Sequence, residues 1–414
     1  MTRRTFLAAP ALALAAPPPA PSSGEFERTL LTNILAFWHP RSVDRERGGY
    51  MVDFDAAGRP QPGPPKMIVS QARMLWFFSA LARAGYGDRK LMLEAAAHGY
   101  GFLTTQMWDS RHGGFFWQTN NPRKHLYGNA FGLYALSEYA TASGRKDVLE
   151  FANRHFDLLE AKSHDARYGG YRESFLADWS LPPETENSAL GVPPRVKLMN
   201  THLHLMEAMA TYYRASQRPA ALHRLVELIQ IQSNAVIRKG LTAGTDQYEP
   251  DWTPILRGAG ARVSYGHDIE NVWLLNDACD AASLSYAPLL DLARELWAYA
   301  LRYGWDAEQG GFWNSGEFRQ PASDRNKSWW VQAETLVSAL TMWRFTREDR
   351  YKQIFDQEWA FIKRSFIDAQ HGEWHENLAP DGRPFGTKGH AWKAAYHNGR
   401  AMIECIRLLN QAPA

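Results

Sequence analysis

The chain has 414 residues, enough for one large core or two ordinary domains. Charged residues make up 22% and hydrophobic residues 45%, the balance of a soluble globular protein. The net charge is only +2, with basic and acidic residues interspersed, which argues against a nucleic-acid partner.

The first residues read as a targeting segment. Thr2-Arg3-Arg4-Thr5-Phe6-Leu7 opens a short apolar stretch that runs to Ala16, and a Pro-rich run, Pro17 to Pro21, follows. The stretch is too short to span a bilayer and resembles a bacterial twin-arginine export signal. We therefore expect residues 1–24 to be signal and linker, residues 25–414 to be one catalytic domain, and the mature protein to be periplasmic with no membrane contact after export.

A loop pattern then recurs along the chain. Asp44-Arg45-Glu46-Arg47-Gly48-Gly49-Tyr50 is its first copy, and copies begin again at Asp109, Asp165 and Asp306. Asp368-Ala369-Gln370-His371-Gly372-Glu373-Trp374 is a degenerate last copy. The gap from Asp165 to Asp306 is about twice the usual spacing and has room for a missing copy near Arg238-Lys239-Gly240-Leu241. That makes six units. Each Gly pair follows a helical pattern and supplies the left-handed backbone that ends a helix and starts a turn. The aromatic residue after it can begin a short β-ribbon.

Helical periodicity is expected near 25–38, 69–84, 90–107, 125–143, 147–161, 198–215, 219–236, 267–283, 287–303, 327–345, 350–366 and 392–410. Two helices in each of six units predict an all-α fold, an (α/α)6 barrel of six helical hairpins with short β-ribbons in the Gly-Gly loops. The alternative is an open solenoid of helical pairs. Cys279 and Cys405 each fall inside an amphipathic pattern and read as buried small hydrophobes. The 16 Trp and 17 Tyr are in excess, which serves either core filling or sugar binding.

Unusual polar residues collect at the start of every second helix. Arg73 lies near the start of the second, Tyr127 of the fourth, Asn200 and His204 of the sixth, and His267 and Glu270 of the eighth. Trp330 and Glu334 open the tenth, and Trp392, His397 and Arg400 open the twelfth. If these helices form the inner ring, their N-termini surround one polar cup whose unpaired N–H groups favour oxygen-rich ligands and developing negative charge. His267 and Glu270 are spaced i, i+3, so Glu270 is expected to hold the imidazole in one tautomer. Asn200 and His204 share a face at i, i+4, as do His397 and Arg400 at i, i+3. His202 is offset by two and reads as structural. Satisfied core histidines and a metal site are the competing readings of the set. No Cys cluster or His-Glu-x-x-His supports a metal, so none is expected and general acid/base chemistry is preferred. The reaction that fits is proton transfer at a sugar C2, which is acidic once C1 is a carbonyl. Return of the proton to the opposite face of C2 epimerises, and delivery to C1 isomerises. Arg73 is a candidate for steadying the enediolate oxygen.

At these residues the chain resembles the N-acylglucosamine 2-epimerase superfamily, and within it the branch of cellobiose and mannose 2-epimerases. The motifs that carry the resemblance are Tyr265-Gly266-His267-Asp268-Ile269-Glu270, Tyr396-His397-Asn398-Gly399-Arg400, Asn200-Thr201-His202-Leu203-His204 and Trp329-Trp330-Val331-Gln332-Ala333-Glu334. The resemblance implies an (α/α)6 barrel and a cofactor-independent sugar 2-epimerase. It implies that His267 and His397 are the acid/base pair at C2, that His204 assists ring opening and that Glu270 supports His267. Arg73, Tyr127, Asn200, Trp330 and Trp392 match substrate-contacting positions, and we add Glu334 to the expected substrate site. The chain departs from the disaccharide-epimerising branch at Val331, where Pro is usual, and at Ala394-Ala395, where Cys-Pro is usual. The expected substrate is a small sugar, either cellobiose or mannobiose, or glucose or mannose. The expected assembly is a monomer or weak homodimer. Aldose–ketose isomerisation is the nearest alternative. A glycoside hydrolase with paired carboxylates and a non-catalytic sugar-binding protein are the more distant ones.

Overall fold

A computed structural model describes residues 21–238 and 243–411. The signal motif and most of the expected fourth-copy tetrapeptide lie outside those residues. Twelve helices are present among the described residues. We label them in chain order. The first, α1, is Ser23–Thr29 continued through a π-helical stretch, Leu30–Leu35, into Ala36–Trp38. Then come α2 (Ile68–Ala84), α3 (Arg89–Phe102), α4 (Leu126–Ser143), α5 (Lys146–Lys162), α6 (Met199–Ser216) and α7 (Pro219–Gln230). The chain continues with α8 (Tyr265–Ala281), α9 (Leu290–Gly304), α10 (Trp329–Thr346), α11 (Asp349–Ser365) and α12 (His397–Asn410).

Even- and odd-numbered helices have different sequence characters and therefore different places. α2, α4 and α10 are buried nearly all round, which suits a helix enclosed by others. α5, α7, α9 and α11 bury one stripe and expose the rest, as a covering layer must. Each even helix packs against the next, and α12 returns to touch α2, so the inner ring closes. Each odd helix packs on an even one, with α1 covering α12. The closure is also hydrogen-bonded: the Phe54 N–H donates to the Gly389 carbonyl at 3.0 Å, and Trp38 Nε1 donates to Glu373 Oε2 at 2.6 Å. The fold is the closed ring of six hairpins, not the open solenoid.

The six loops obey one rule. Each is a small antiparallel hairpin whose bridge partners are Val43 and Tyr50, Trp108 and Phe115, His164 and Tyr171, Ile237 and Gly244, Trp305 and Phe312, and Ile367 and Trp374. The Ile237–Gly244 pair is the copy missing from the sequence pattern, with Arg238 where the others carry Asp. In the other five the Asp caps its own turn and also binds a lysine. The pairs are Lys66–Asp44 at 2.7 Å, Lys124–Asp109 at 2.7 Å, Lys197–Asp165 at 2.9 Å, Lys327–Asp306 at 2.7 Å and Lys388–Asp368 at 2.8 Å. The Gly pair lies inside this hairpin and not at a helix end, as its position after a helical pattern had suggested. A Cβ on Gly49 would stand 2.5 Å from Gln71 Oε1, and its φ is +65°, so both space and backbone require glycine.

In five of the six hairpins the fourth residue of an inner helix reaches back to the loop; in the sixth, Trp374 N–H donates to Glu373 Oε1 instead. Gln71, Asn129, Asp268 and Gln332 accept the N–H of Tyr50, Phe115, Gly244 and Phe312 at 2.7 to 2.9 Å. His202 is the same position of α6. Its Nε2 accepts from Tyr171 N at 3.0 Å and its Nδ1 bonds the Leu198 carbonyl at 2.8 Å. Its structural role therefore follows from the repeat. Cys279 and Cys405 are buried free thiols. The expected helix over 392–410 starts only at His397. Residues 390–393 make a tight turn in which His390 and Lys393 exchange backbone hydrogen bonds at 3.0 Å, and Trp392 sits on it, 37% exposed.

Candidate active site

The N-terminal ends of the six inner helices meet at one end of the ring. Arg73 of α2 donates to Tyr127 Oη of α4 at 3.1 Å and to the Trp392 carbonyl at 3.0 Å. The Tyr127 ring lies 5.5 Å from His204 of α6, and His204 lies 6.5 Å from His397 of α12. Trp330 of α10 packs against both His267 of α8, at 4.8 Å, and His397, at 5.6 Å. Asn200 bonds Asp246 through its backbone N–H at 3.0 Å and leaves its Oδ1 buried without a hydrogen bond. All the sequence-predicted residues except Glu270 and Glu334 thus line or adjoin one cup.

Those two glutamates lie below it. Glu334 was expected to contact substrate, but it is fully buried and its oxygens are taken. Oε1 accepts from His397 Nδ1 at 2.7 Å and from Arg400 at 2.8 Å, and Oε2 accepts from Trp273 Nε1 at 2.8 Å. Glu270 was expected to hold His267. Its Oε1 instead accepts from Arg400 at 2.7 Å and stands 4.0 Å from His397 Nδ1. Arg400 outcompetes the imidazole on the same helix because it brings a full charge to a buried carboxyl, where a neutral imidazole offers none.

The sequence reading missed Glu207, which is the same distance along its helix from His204 as Glu270 is from His267. Glu207 Oε2 bonds His204 Nδ1 at 3.0 Å and accepts from Tyr396 Oη at 2.5 Å, and its Oε1 accepts from Arg400. The i, i+3 rule that singled out Glu270 applies equally to Glu207. Arg400 is therefore the hub. It binds Glu207, Glu270 and Glu334, and two of those carboxylates each hold one histidine. Its guanidinium also lies over the Trp273 and Tyr396 rings.

The electrostatics suit proton transfer. Burial holds His204 below the usual imidazole range, with the Glu207 hydrogen bond opposing. Burial, followed by the charges of Arg73 and Arg400, holds His397 well below it. Burial brings His267 down to about 3. All three are neutral imidazoles near neutral pH. Where Nδ1–H donates to Glu334 or Glu207, the opposite nitrogen, Nε2, keeps its lone pair. No protein group among the described residues bonds Nε2 of His204 or His397, or either ring nitrogen of His267. Burial tends to raise Glu207, but Arg400 and His204 outweigh it and keep that group ionised. Burial and the neighbouring Glu334 charge push Glu270 well above the carboxylate range. Burial pushes Tyr127 up to about 12, so it is a neutral hydroxyl beside Arg73.

Potential ligand atoms of Glu270, Glu334 and His397 lie within 4.8 Å of one another, a spacing a metal ion could use. Arg400 already donates to both carboxylates at that point, so the guanidinium holds the place of a cation.

The N-acylglucosamine 2-epimerase (GlcNAc 2-epimerase) family matches residues 49–401 of the chain. The chain belongs to this family. A cellobiose 2-epimerase of Bacteroides fragilis is 31% identical over 395 residues, covering 92% of this chain and 98% of that one. The structure of cellobiose 2-epimerase from Spirochaeta thermophila superposes with a TM-score of 0.82 at 35% identity, covering 94% of this chain and 96% of that one. A D-mannose isomerase of Marinomonas mediterranea is 25% identical over 410 residues, covering 94% of this chain and 99% of that one. The family members matched are carbohydrate epimerases and isomerases, and this chain is an enzyme of that type. Val331, Ala394 and Ala395, the three positions at which a departure from the disaccharide-epimerising branch was expected, are all buried.

Proposed function

We propose that this member of the family is a 2-epimerase acting on the reducing-end aldose of a disaccharide of the cellobiose or mannobiose type. The observation that carries the reading is the arrangement of three neutral imidazoles around one cup, two of them fixed through Nδ1 by carboxylates that share Arg400. Ring opening exposes C1 as a carbonyl, and His204 is placed to handle the hydroxyl proton. His267 or His397 removes the C2 proton through an unprotonated nitrogen. The enediolate oxygen is held by the Arg73 guanidinium and the neutral Tyr127 hydroxyl. The other histidine returns a proton to the opposite face of C2. Glu334 and Glu207 stabilise the imidazolium that forms above each of them.

Isomerisation shares every step up to the enediolate and differs only in delivering the proton to C1. Kinship to D-mannose isomerases keeps it the second reading. A hydrolase needs one carboxylic acid against the leaving oxygen and a second carboxylate at the anomeric carbon. Glu270 and Glu334 are instead committed to Arg400 beneath the histidines. We also propose that the Thr2–Leu7 motif directs export to the periplasm, where oligosaccharides are met before uptake.

The deciding experiment incubates cellobiose, mannobiose, glucose and mannose with the enzyme in D2O and follows C2 by NMR. Deuterium at C2 of an epimeric disaccharide is expected, and neither His267→Ala nor His397→Ala should support exchange. Ketose product assigns the isomerase reaction instead. Turnover of monosaccharides alone refutes the disaccharide assignment. Wild-type exchange by either variant removes that histidine from the pair.

A further inference from the structure

The far end of the ring, where the inner helices finish, carries a funnel of about 530 Å3. Its wall is charged but internally neutralised. Arg214 grips Asp277 with two bonds of 2.9 Å, Arg407 bonds Glu404 at 2.7 Å, and Arg83 bonds Glu138. Such a wall is hydrophilic without favouring an ion of either sign. A narrower cavity of about 70 Å3 lies deeper along the ring axis. Arg83, Glu138, Thr211, Arg214, Asp277 and Glu404 line both spaces, so the two adjoin. The inner end of the cavity is formed by Trp76, Glu207, Trp273 and Arg400. It therefore reaches Glu207, which holds His204, and Arg400, which bonds Glu334.

Two polar atoms of that inner wall are buried without a protein partner, Trp76 Nε1 and Arg400 Nε. Both are donors. Buried donors are rarely left unmade, and water satisfies most of those that lack a protein acceptor. A water takes about 30 Å3 of liquid volume, so the cavity has room for roughly two.

We infer that the cavity and funnel form a hydrated route from the far end of the ring to Glu207, by which a proton on His204 exchanges with solvent while a sugar fills the mouth. The steps balance as a simple relay. His204 gains a proton at Nε2 from the sugar hydroxyl and gives its Nδ1 proton to Glu207 Oε2, 3.0 Å away. Glu207, kept ionised at rest by Arg400, holds that proton only in passing and gives it to cavity water, and the funnel carries it to bulk solvent. The reverse path restores the starting tautomer. No electron or group is transferred. The inference rests on the acid/base reading of His204, but the hydration of the cavity does not.

Thr211→Phe tests the route by plugging the passage at a residue outside the catalytic groups, with Thr211→Leu as a milder plug if the first misfolds. Hydrogen exchange of the Trp76 indole N–H, followed by NMR without any sugar, reads hydration alone. Exchange should be fast in the wild type despite burial and at least tenfold slower in the plugged variant. Steady-state turnover of cellobiose then reads the proton role: kcat should fall several-fold with KM unchanged. A slowly exchanging indole in the wild type overturns the hydrated cavity. A plug that leaves exchange fast overturns the far-end entry. A plug that slows exchange but leaves kcat at the wild-type value overturns the relay. If the wild type turns over no sugar, the proposed function fails, while the exchange measurements still decide the water route.

Discussion

Glu334→Gln is the substitution that tests the site most sharply, because it changes one atom of a carboxylate that receives three donors. Trp273 reaches Oε2 at 2.8 Å, while Arg400 and His397 reach Oε1 at 2.8 and 2.7 Å. An amide has one acceptor oxygen and one donor group. If its oxygen faces Arg400 and His397, its NH2 opposes the Trp273 indole N–H. If it turns round, the NH2 opposes the guanidinium and forces His397 Nδ1 to accept. In the second case the proton of a neutral imidazole moves to Nε2, and His397 loses the lone pair that meets the substrate. In the first the histidine keeps its tautomer but loses the negative charge that stabilises its imidazolium. Either way one buried donor goes unmet, which costs on the order of 1–3 kcal/mol. General acid/base contributions are worth about 10²–10⁴-fold, so kcat is expected to fall by that order. KM should change little, because Glu334 does not touch the sugar. The assay is C2 deuterium uptake at saturating cellobiose, with circular dichroism checking the fold. A folded Glu334→Gln enzyme that exchanges C2 within about threefold of wild type would sink the assignment of His397 as an anchored acid/base group.

His202→Gln separates a structural histidine from the catalytic ones. Gln71 and Gln332 fill the equivalent position of α2 and α10, so the clamp to Tyr171 should survive. Burial brings His202 down to about 3 from 6.5. Between those values the unfolded chain binds a proton that the folded chain does not, so His202 costs stability as pH falls below 6.5. At pH 5 the unfolded imidazole lies 1.5 units above the pH. At about 1.36 kcal/mol per unit, this makes a penalty of about 2 kcal/mol that is absent at pH 8. Urea unfolding at the two pH values should show the variant gaining about that much relative to wild type at pH 5. An equal difference at both pH values would show that His202 does not titrate between the folded and unfolded states. The proposed export is checked by changing Arg3 and Arg4 together to Lys in the full chain and fractionating cells. The protein should move from periplasm to cytoplasm, and unchanged periplasmic yield would refute the signal.

The fold was legible wherever a local requirement recurred. The Asp marks five loops and the Gly pair four of them, the last carrying Gly372-Glu373, because each answers a steric or charge demand within a few residues. The fourth loop keeps the bridge from Ile237 to Gly244 but carries Arg238 in place of Asp, so it lacks the Asp–Lys pair found in the other five. Only the interval between copies betrayed it. The start of the last helix was misread because Trp392, Ala394, Ala395 and Tyr396 continue an apolar pattern. A turn closed by two backbone hydrogen bonds between His390 and Lys393 interrupts it, and periodicity carries no trace of that.

The site was legible one helix at a time and no further. The i, i+3 rule correctly states which side chains can meet on a helix, and it holds for His204 and Glu207. It fails for His267 and Glu270 because an inner helix also faces partners across the ring. Arg400, 130 residues away in sequence, offers Glu270 a charge-assisted bond that a neutral imidazole cannot match. The same arginine draws in Glu207 and Glu334, which are 193 and 66 residues from it. Three acids on three helices thus become one cluster because a single guanidinium donates to all three, while Glu270 is pushed well above the carboxylate range. The histidines take their partners from that cluster: His204 keeps the glutamate of its own helix and His397 takes one from the neighbouring helix. His267 takes none and is held by the face of Trp330. The two histidines assigned to C2 therefore differ in kind, one backed by a carboxylate and one by an aromatic ring. Glu334, 2.7 Å from Nδ1, favours the His397 imidazolium, while burial and the charges of Arg73 and Arg400 oppose it. Loss of the Glu334 charge would leave His397 facing those two cations without the carboxylate bonded to it, so it is the change that should weaken His397 most as a base.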